Sequence, residues 1–557
     1  MTAASAAQTA AAPDYDRAPI ELPHRERMEI LLVVLLGMFL AALDNTIVGT
    51  ALPTIVTELN GNDVYIWPFT AYLLTATASG PIYGKLSDLF GRRPIFIIGV
   101  GIFLLGSFLS GISQEMWQFI GFRGIQGLGA GALFPVALAI IGDIFAPSER
   151  GKYQGFFGAM FGIAFLIGPA MGGLITDNIS WHWIFFVNIP LGLIVLFVIW
   201  RVLPTHRDPN ATRNIDYLGA ALLVAALVPI LIGFTQKQFG EWTDPDVGGL
   251  IALGLVMAAA FVWAESRAKD PILPLHLFRI RYFTASVMAM FFAAVGFFAA
   301  VVFLPRWFQV VNGSSATESG YQILPLLGGL IVAAVVSGQI VARTGRYKPI
   351  IFGSLLVLAG GLFLLTNIRP DTDLPVLWLW MAITGLGIGP AFAVFTLVVQ
   401  NNVPVRELGT GTSSVTLFQQ VGGTVGLAIT GSLFTSVLLE EIPNQLEELG
   451  VPPAFAGQLA GGDALNNLAG VGDLGAAILA QVPPAFQAQV EPFIPAIVNA
   501  IHTAFSIATS ATFSIGVVTS LLAAAVVLVW MPGGRMGATV ESPAPSTSSR
   551  DPEPATS

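Results

Sequence analysis

Gly84-Lys-Leu-Ser-Asp88-Leu-Phe-Gly91-Arg92-Arg93-Pro94 stands between two apolar runs of this chain. A weaker copy, Gly338-Gln-Ile-Val-Ala-Arg-Thr-Gly345-Arg346-Tyr347-Lys348-Pro349, stands between two others. In each, two glycines seven residues apart precede a basic cluster and a proline. A proline cannot continue a helix from its interior but is tolerated in the first turn of a new one. Each copy therefore reads as the tight connection between two consecutive helices, and the repetition says that the chain is built twice over.

The surroundings show what kind of helices these are. Of 557 residues, 54% are hydrophobic and only 11% charged, with a mean hydropathy of +0.74. Soluble globular chains run near 25% charged. A span needs ~20 mostly apolar residues to cross ~30 Å of hydrocarbon. Fourteen such runs are readable, at 29–52, 65–86, 94–113, 118–142, 152–176, 183–203, 216–235, 247–265, 283–305, 320–342, 349–368, 374–400, 411–438 and 505–531. The two copies join spans 2 and 3 and spans 10 and 11. The offset of eight spans yields an all-α polytopic membrane protein of 6 + 2 + 6 helices. Two related halves around a midplane site are the architecture of a secondary transporter.

Positive charge sets the orientation. With the N-terminus in the cytoplasm, 21 of the 25 Lys and Arg fall in inner segments, three fall outside (Lys237, Arg306, Arg369), and Arg123 lies within a span. A missed helix would invert everything after it, so both termini are expected in the cytoplasm of a multi-pass cell-membrane protein. The expected divisions are a cytoplasmic tail (1–28), an N-terminal six-helix bundle (29–203), two inserted linker helices (216–265), a C-terminal six-helix bundle (283–531) and a disordered cytoplasmic tail (532–557). The first 28 residues contain no apolar stretch of the signal-peptide kind. Within the second bundle a long outer loop, 439–504, holds seven acids and no Lys or Arg. Val451-Pro-Pro-Ala-Phe455 recurs there as Val482-Pro-Pro-Ala-Phe486, which suggests short amphipathic helices in a hairpin capping the bundle.

Charges inside spans are expensive and mark function by default. Asp44 lies in span 1, ~12 Å below its outer end, and Arg123 lies in span 4, ~7 Å below its outer end, at 1.5 Å per residue. A carboxylate and a guanidinium at one depth pair and desolvate together. Protonation releases the carboxylate while Arg stays charged, so the pair forms a candidate proton switch. At the cytoplasmic ends of spans 2 to 4, Gly84 permits close helix approach and Gly91 a tight turn. Asp88, Arg92, Arg93 and Asp143 there form a candidate latch for an inner gate. In span 5, Gly162 precedes Gly168-Pro169-Ala-Met-Gly172-Gly173. Gly168 and Gly172 make a small-xxx-small contact face, and Pro169 removes a helix hydrogen bond. The segment is a candidate pivot or seal in the outer half.

These residues resemble the major facilitator superfamily and, within it, the fourteen-span drug:proton antiporters of the EmrB/QacA type. The resemblance covers all fourteen spans. The family's first-span pattern matches Leu43 to Val48 through Pro53. Its motif A matches Gly84, Asp88, Gly91, Arg92 and Arg93, its motif B matches Arg123, Gln126 and Gly127, and its motif C matches Gly168, Pro169, Gly172 and Gly173. Trp181-His-Trp183-Ile-Phe-Phe-Val-Asn188-Ile-Pro190 is similar to a stretch common before span 6. The chain departs at Leu89, where a basic residue is frequent. It departs again in span 13 (Ser413, Ser414, Thr416, Gln419, Gln420), where some multidrug members carry an acid. The resemblance thus does not by itself imply recognition of dicationic drugs.

The expectation is a proton-coupled antiporter exporting hydrophobic or amphiphilic compounds, with a dedicated exporter of a lipid, siderophore or antibiotic as the alternative. A non-transporting scaffold or sensor is disfavoured by the gate motif and the intramembrane pair. The chain is expected to work as a monomer, with small hydrophobic or amphiphilic substrates, protons and the lipid bilayer as partners. No nucleic-acid partner is expected at a net charge of −9. Zero cysteines and five dispersed histidines support neither a metal nor a cofactor, and no nucleophile–base set of an enzyme is visible.

Overall fold

A computed structural model describes residues 22–61, 64, 67–204, 215–237, 240–448, 474–481, 487 and 491–534. Among these there is no strand. The helices are α1 (His24–Glu58), α2 (Trp67–Phe90), α3 (Arg92–Gly111), α4 (Met116–Ile144), α5 (Pro147–Asn178), α6 (His182–Phe186), α7 (Asn188–Val202), α8 (Tyr217–Gln236) and α9 (Leu250–Glu265). They continue with α10 (Arg281–Val311), α11 (Ala316–Gln322), α12 (Leu324–Thr344), α13 (Lys348–Leu365), α14 (Leu374–Asn402), α15 (Leu408–Glu448), α16 (Leu474–Gln481) and α17 (Ile494–Trp530).

Among the described residues, twelve stretches are long and apolar enough to cross a bilayer, α6 with α7 and α11 with α12 each reading as one span. The two remaining expected spans, 65–86 and 152–176, fall on α2 and α5. Both are helical, over 24 and 32 residues. α2 is diluted by Thr70, Thr75, Thr77 and Ser79, and α5 has a described apolar stretch only over Gly162–Thr176. The apolar rule therefore reaches twelve, two short of the count expected from the sequence.

Apolar side chains sort the helices into two bodies. One large buried cluster runs from Leu277 to Met531 through α10 and α12 to α17. Another runs from Ile30 to Leu203 through α1 to α5 and α7. The bodies meet where α2 and α4 pack on α15, and where α5 packs on α12 and α14. α8 and α9 pair with each other, and α8 also lies against both α2 and α15. A small cluster of Ala78, Leu223, Leu227, Phe261 and Leu417 buries that junction. The two inserted helices thus cover the seam, while Leu253, Leu255, Val256, Val262 and Trp263 of α9 remain exposed as an apolar flank.

Both paired connections turn at a glycine of positive φ, Gly91 (φ 95°) and Gly345 (φ 67°), a backbone conformation that glycine adopts without steric cost. The chemistry is not shared, because Ala342 stands in the second copy where Asp88 stands in the first.

The last two spans are longer than expected. α15 has 41 residues and α17 has 37, or ~60 and ~55 Å at 1.5 Å per residue. Residues 439–448 and 494–504, expected in the outer loop, continue these helices. Ile442 and Leu446 of α15, Ile478 of α16, and Ile497 and Ile501 of α17 are all buried together. Burial of this apolar stripe keeps the helices going past the bilayer span. The Val-Pro-Pro-Ala-Phe repeats, the N-terminal tail before residue 22 and the C-terminal tail after residue 534 lie outside the described residues.

Candidate functional site

Asp44 and Arg123 are fully buried and bonded to each other, Arg123 Nη1 donating to Asp44 Oδ2 at 2.5 Å. Asp44 Oδ1 accepts from Gln126 Nε2 at 2.8 Å and from Asn188 Nδ2 at 3.2 Å. Gln126 follows Arg123 by three residues, so both sit on one face of α4. Its Oε1 in turn accepts from Arg123 at 2.6 Å. Asn188, at the start of α7, also donates to Ser107 Oγ of α3 at 3.1 Å. Four helices, α1, α3, α4 and α7, therefore meet in one buried polar network around Asp44, each supplying a group that burial would otherwise leave costly.

The guanidinium of Arg123 lies over the Tyr72 ring, 4.3 Å from its centre, with the Phe185 ring 5.9 Å away on another side. Its Nε and Nη2 are buried without a hydrogen-bond partner. Arg123 is thus held by a carboxylate, an amide and aromatic faces, with two donors left over. Sequence reading missed Tyr72 and Ser107. It quoted Asn188 and Gln126 only as parts of motifs, since their roles depend on which helices become neighbours.

The motif C glycines explain how α1 reaches this depth. A Cβ on Gly168 would fall within 2.6 Å of Thr46 Cβ, and one on Gly172 within 2.7 Å of the Ile47 carbonyl oxygen. α5 is thereby seated on the turn of α1 that carries Asp44, and Thr46 Oγ1 donates across to the Ala164 carbonyl at 3.1 Å. Gly162 faces Ile331 of α12 in the other body, and Gly173 meets only Thr317 Oγ1, 3.9 Å from its would-be Cβ. The side chain of Pro169 lies outside the described residues.

A second cluster closes one end of the seam. Arg92 donates to Asp88, and its Nε to Asp143 Oδ2 at 2.8 Å. Asp88 also accepts from the Gly409 and Thr410 backbone N–H groups at 2.9 Å each and from Thr410 Oγ1 at 3.0 Å. Those N–H groups belong to the first turn of α15, which has no partners for them within its own helix. Asp88 of one body thus caps a helix of the other, with its charge at the favourable end of the dipole. Gly84 makes this possible, because a Cβ there would lie 2.8 Å from Ser413 Cβ and 2.8 Å from the Gly409 carbonyl. Arg93 stays within its own body and donates to the Trp200 carbonyl.

Arg150, not singled out by sequence reading, adds a second bridge. Its Nη1 donates to Asn401 Oδ1 at 2.8 Å and to the Gln400 carbonyl at 3.1 Å, both on α14. Gln400 Nε2 returns a bond to the Leu138 carbonyl of α4 at 3.0 Å. Burial lowers the Arg150 guanidinium to about 10, so it remains a cation at neutral pH.

Between the two clusters lies a narrow space of about 40 Å³ bordered by α1, α2, α4 and α15. Asn45, Tyr72, Thr77, Phe134, Thr416 and Gln420 are among its walls. Tyr72 both borders this space and carries Arg123 on its ring. Ser413 both borders it and packs on Gly84.

The profile of the Major Facilitator Superfamily matches residues 34–427. The chain belongs to that superfamily. A multidrug transporter protein of Bacillus subtilis, MdtP, is 37% identical over 489 residues, 86% of this chain and 90% of that protein. Multidrug resistance protein 3 of the same organism is 35% identical over 518 residues, 92% of this chain and 96% of that one. The tetracenomycin C resistance and export protein of Streptomyces glaucescens is 31% identical over 500 residues, 89% of this chain and 90% of that one. Among solved structures, the proton:xylose symporter XylE superposes with a TM-score of 0.57 at 15% identity, covering 91% of this chain and 96% of that one. That likeness speaks to the fold alone. As a superfamily member with about twelve membrane-length helices, this chain is a multi-pass membrane transporter and not an enzyme.

Proposed function

We propose that this protein is a proton-coupled antiporter that exports hydrophobic or amphiphilic compounds across the cytoplasmic membrane. The observation that carries the proposal is the fully buried Asp44–Arg123 pair, separated from an uncharged space between the two bodies by the Tyr72 ring. Proton and substrate sites so placed share a wall, and occupancy of one alters the other.

In this reading all of the fourteen spans cross the bilayer, α2 and α5 included, as two six-helix halves joined by α8 and α9. Both termini face the cytoplasm. The Asp88–Arg92–Asp143 cluster is the cytoplasmic gate, and its bonds to α15 hold that gate shut. Protonating Asp44 removes the charge that Arg123, Gln126 and Asn188 gather around, and the helices that supply them are then free to rearrange. Return of the proton to the cytoplasm restores the pair and resets the cycle. Gly168 and Gly172 let α5 move as one piece with α1. A single chain contains every part named.

The multidrug names of the relatives from Bacillus subtilis support broad export. The name of the tetracenomycin C relative favours a second reading, export of one dedicated antibiotic. Purified protein in liposomes, assayed for proton movement upon substrate addition, tests the coupling. Asp44→Asn mimics the protonated state and is expected to abolish gradient-driven export while leaving binding and downhill exchange. Uphill transport by Asp44→Asn at the wild-type rate would move the coupling site elsewhere.

A further inference from the structure

Residues 266–274, between α9 and α10, run along the seam that the two inserted helices cover. Ile272 and Leu273 are buried in one cluster with Ala78 of α2, Leu223 of α8 and Leu417 of α15, so this strap joins both bodies. Pro271 and Pro274 flank the pair, and neither carries an N–H. The two N–H groups between them are therefore the ones that burial leaves in need of an acceptor. Glu265, at the end of α9 and only 3% exposed, takes both. Its Oε1 accepts from the Ile272 N–H at 3.2 Å and its Oε2 from the Leu273 N–H at 3.3 Å.

The carboxylate that holds the strap has another beside it. Asp216 caps α8, its Oδ1 accepting from the Gly219 N–H at 2.7 Å, while its Oδ2 is buried without a hydrogen-bond partner. A Cβ on Gly219 would fall on Asp216 Oδ2 and within 2.7 Å of Glu265 Oε1. Glycine at this position thus lets the two carboxylates close on each other. Lys85 of α2 acts on Glu265 from a third side. The α15 residues of the cluster, Leu417 and Val421, are uncharged. On the strap, Arg267 lies over the Trp263 ring, Lys269 is exposed and Asp270 precedes Pro271. Beyond it, His276 pairs with Glu407 ahead of α15 at 2.9 Å. Two carboxylates crowded into one buried site cannot both ionise cheaply, and one proton between them removes the repulsion.

We infer that Asp216 and Glu265 share one proton while the strap is seated, and that this proton makes the strap a pH-sensitive clasp across the seam. The inference rests on the antiporter reading above only for which face is cytoplasmic. The shared proton fills the empty place at Asp216 Oδ2 and leaves Glu265 free to hold both amides. Once the strap lifts, water reaches both carboxylates and the proton leaves. The seated state therefore binds one proton more than the lifted state, so acid keeps the strap seated and rising pH lifts it. In a proton importer, such a clasp slows turnover as the cytoplasm acidifies.

The test uses the full chain in lipid nanodiscs, where a maleimide reaches both faces. The chain has no cysteine of its own, so a single Ile272→Cys reports on the buried strap and a single Ser266→Cys, at an exposed position of the same segment, supplies the reference. The ratio of their labelling rates cancels the titration of the thiol itself. That ratio should rise with pH, by about tenfold per unit where the one proton is released. Asp216→Asn keeps the cap and puts a permanent donor beside Glu265, so its ratio should stay low at every pH. Glu265→Gln has one acceptor oxygen for two amides, and its ratio should stay high at every pH. His276→Gln should keep the wild-type response. A flat wild-type ratio, a response that survives in Asp216→Asn, slow labelling of Glu265→Gln, or a response lost in His276→Gln overturns the clasp. Each of these leaves the antiporter reading standing, since the labelling needs no transport.

Discussion

Asp44 has three donors around it from two other helices, and Arg123 has two donors left over. That imbalance gives separate predictions for stability and for coupling. Arg123→Ala leaves a buried carboxylate without its counter-ion, a change that costs about 3–5 kcal/mol in buried pairs, and its melting temperature in detergent should fall accordingly. Asp44→Asn combined with Arg123→Gln removes both charges and should recover much of that stability, yet gradient-driven export should stay absent. Recovery of export in the double variant would show that the pair is structural. Tyr72 is the other informative residue. Its hydroxyl bond to the Ala41 carbonyl is long, at 3.4 Å, so Tyr72→Phe should transport normally. Tyr72→Leu loses a desolvated cation–π contact of about 2 kcal/mol. It should still bind substrate but move fewer protons per substrate, read as the proton-to-substrate ratio in liposomes. An unchanged ratio would remove Tyr72 from the coupling path. Asp44 and Arg123 were legible from sequence because a charge inside an apolar run stands out. Tyr72 was not, because an aromatic residue in a span is ordinary until its neighbours are known.

Among elements, the N-terminus of α15 is where the proposed gate can be tested. Its first-turn N–H groups are held by Asp88 of α2, and contact at Gly84 brings the two helices together. Gly84→Val adds a branched side chain where even a Cβ finds no room, and Asp88→Asn replaces the ionised cap. Both variants should lower export at least tenfold while folded protein remains in the membrane. Since the chain has no cysteine, a single Thr416→Cys reports directly on opening. A membrane-impermeant maleimide applied from the Arg92 side should label it in either gate variant and spare it in the wild-type background. Equal labelling in all three would show that this contact is not the gate. The two glycines and the basic cluster of the proposed latch stand out in the sequence by their spacing. The partners on α15 and the Arg150 bridge to α14 were not, because they join residues more than 200 positions apart in the chain.

For the whole molecule, orientation and the outer extension remain to be tested. A reporter fused after Arg213 should be cytoplasmic, and a tag near Gly470 should be labelled without permeabilising cells; labelling of the latter only after permeabilisation would defeat the fourteen-span arrangement. Leu446, fully buried where α15 continues beyond its expected span, should cost about 2–5 kcal/mol when truncated to Ala. Replacing 449–490 with a short Gly/Ser linker should leave dye export intact, and its complete loss in folded protein would place that segment in the transport path. Composition and hydropathy by themselves determined that this chain is a bundle of membrane helices, and the repeated Gly-rich junction determined that it is built as two related halves. Both follow from local physics, since a helix must satisfy its own backbone in hydrocarbon and a glycine turn needs no distant partner. Only the tertiary structure decided that Asp88 serves a helix of the opposite body, that Tyr72 stands between the ion pair and the central space, and that the last two spans continue past their expected ends as one packed stripe. Each is a contact between distant segments, whose energy depends on packing geometry that no single stretch of sequence contains.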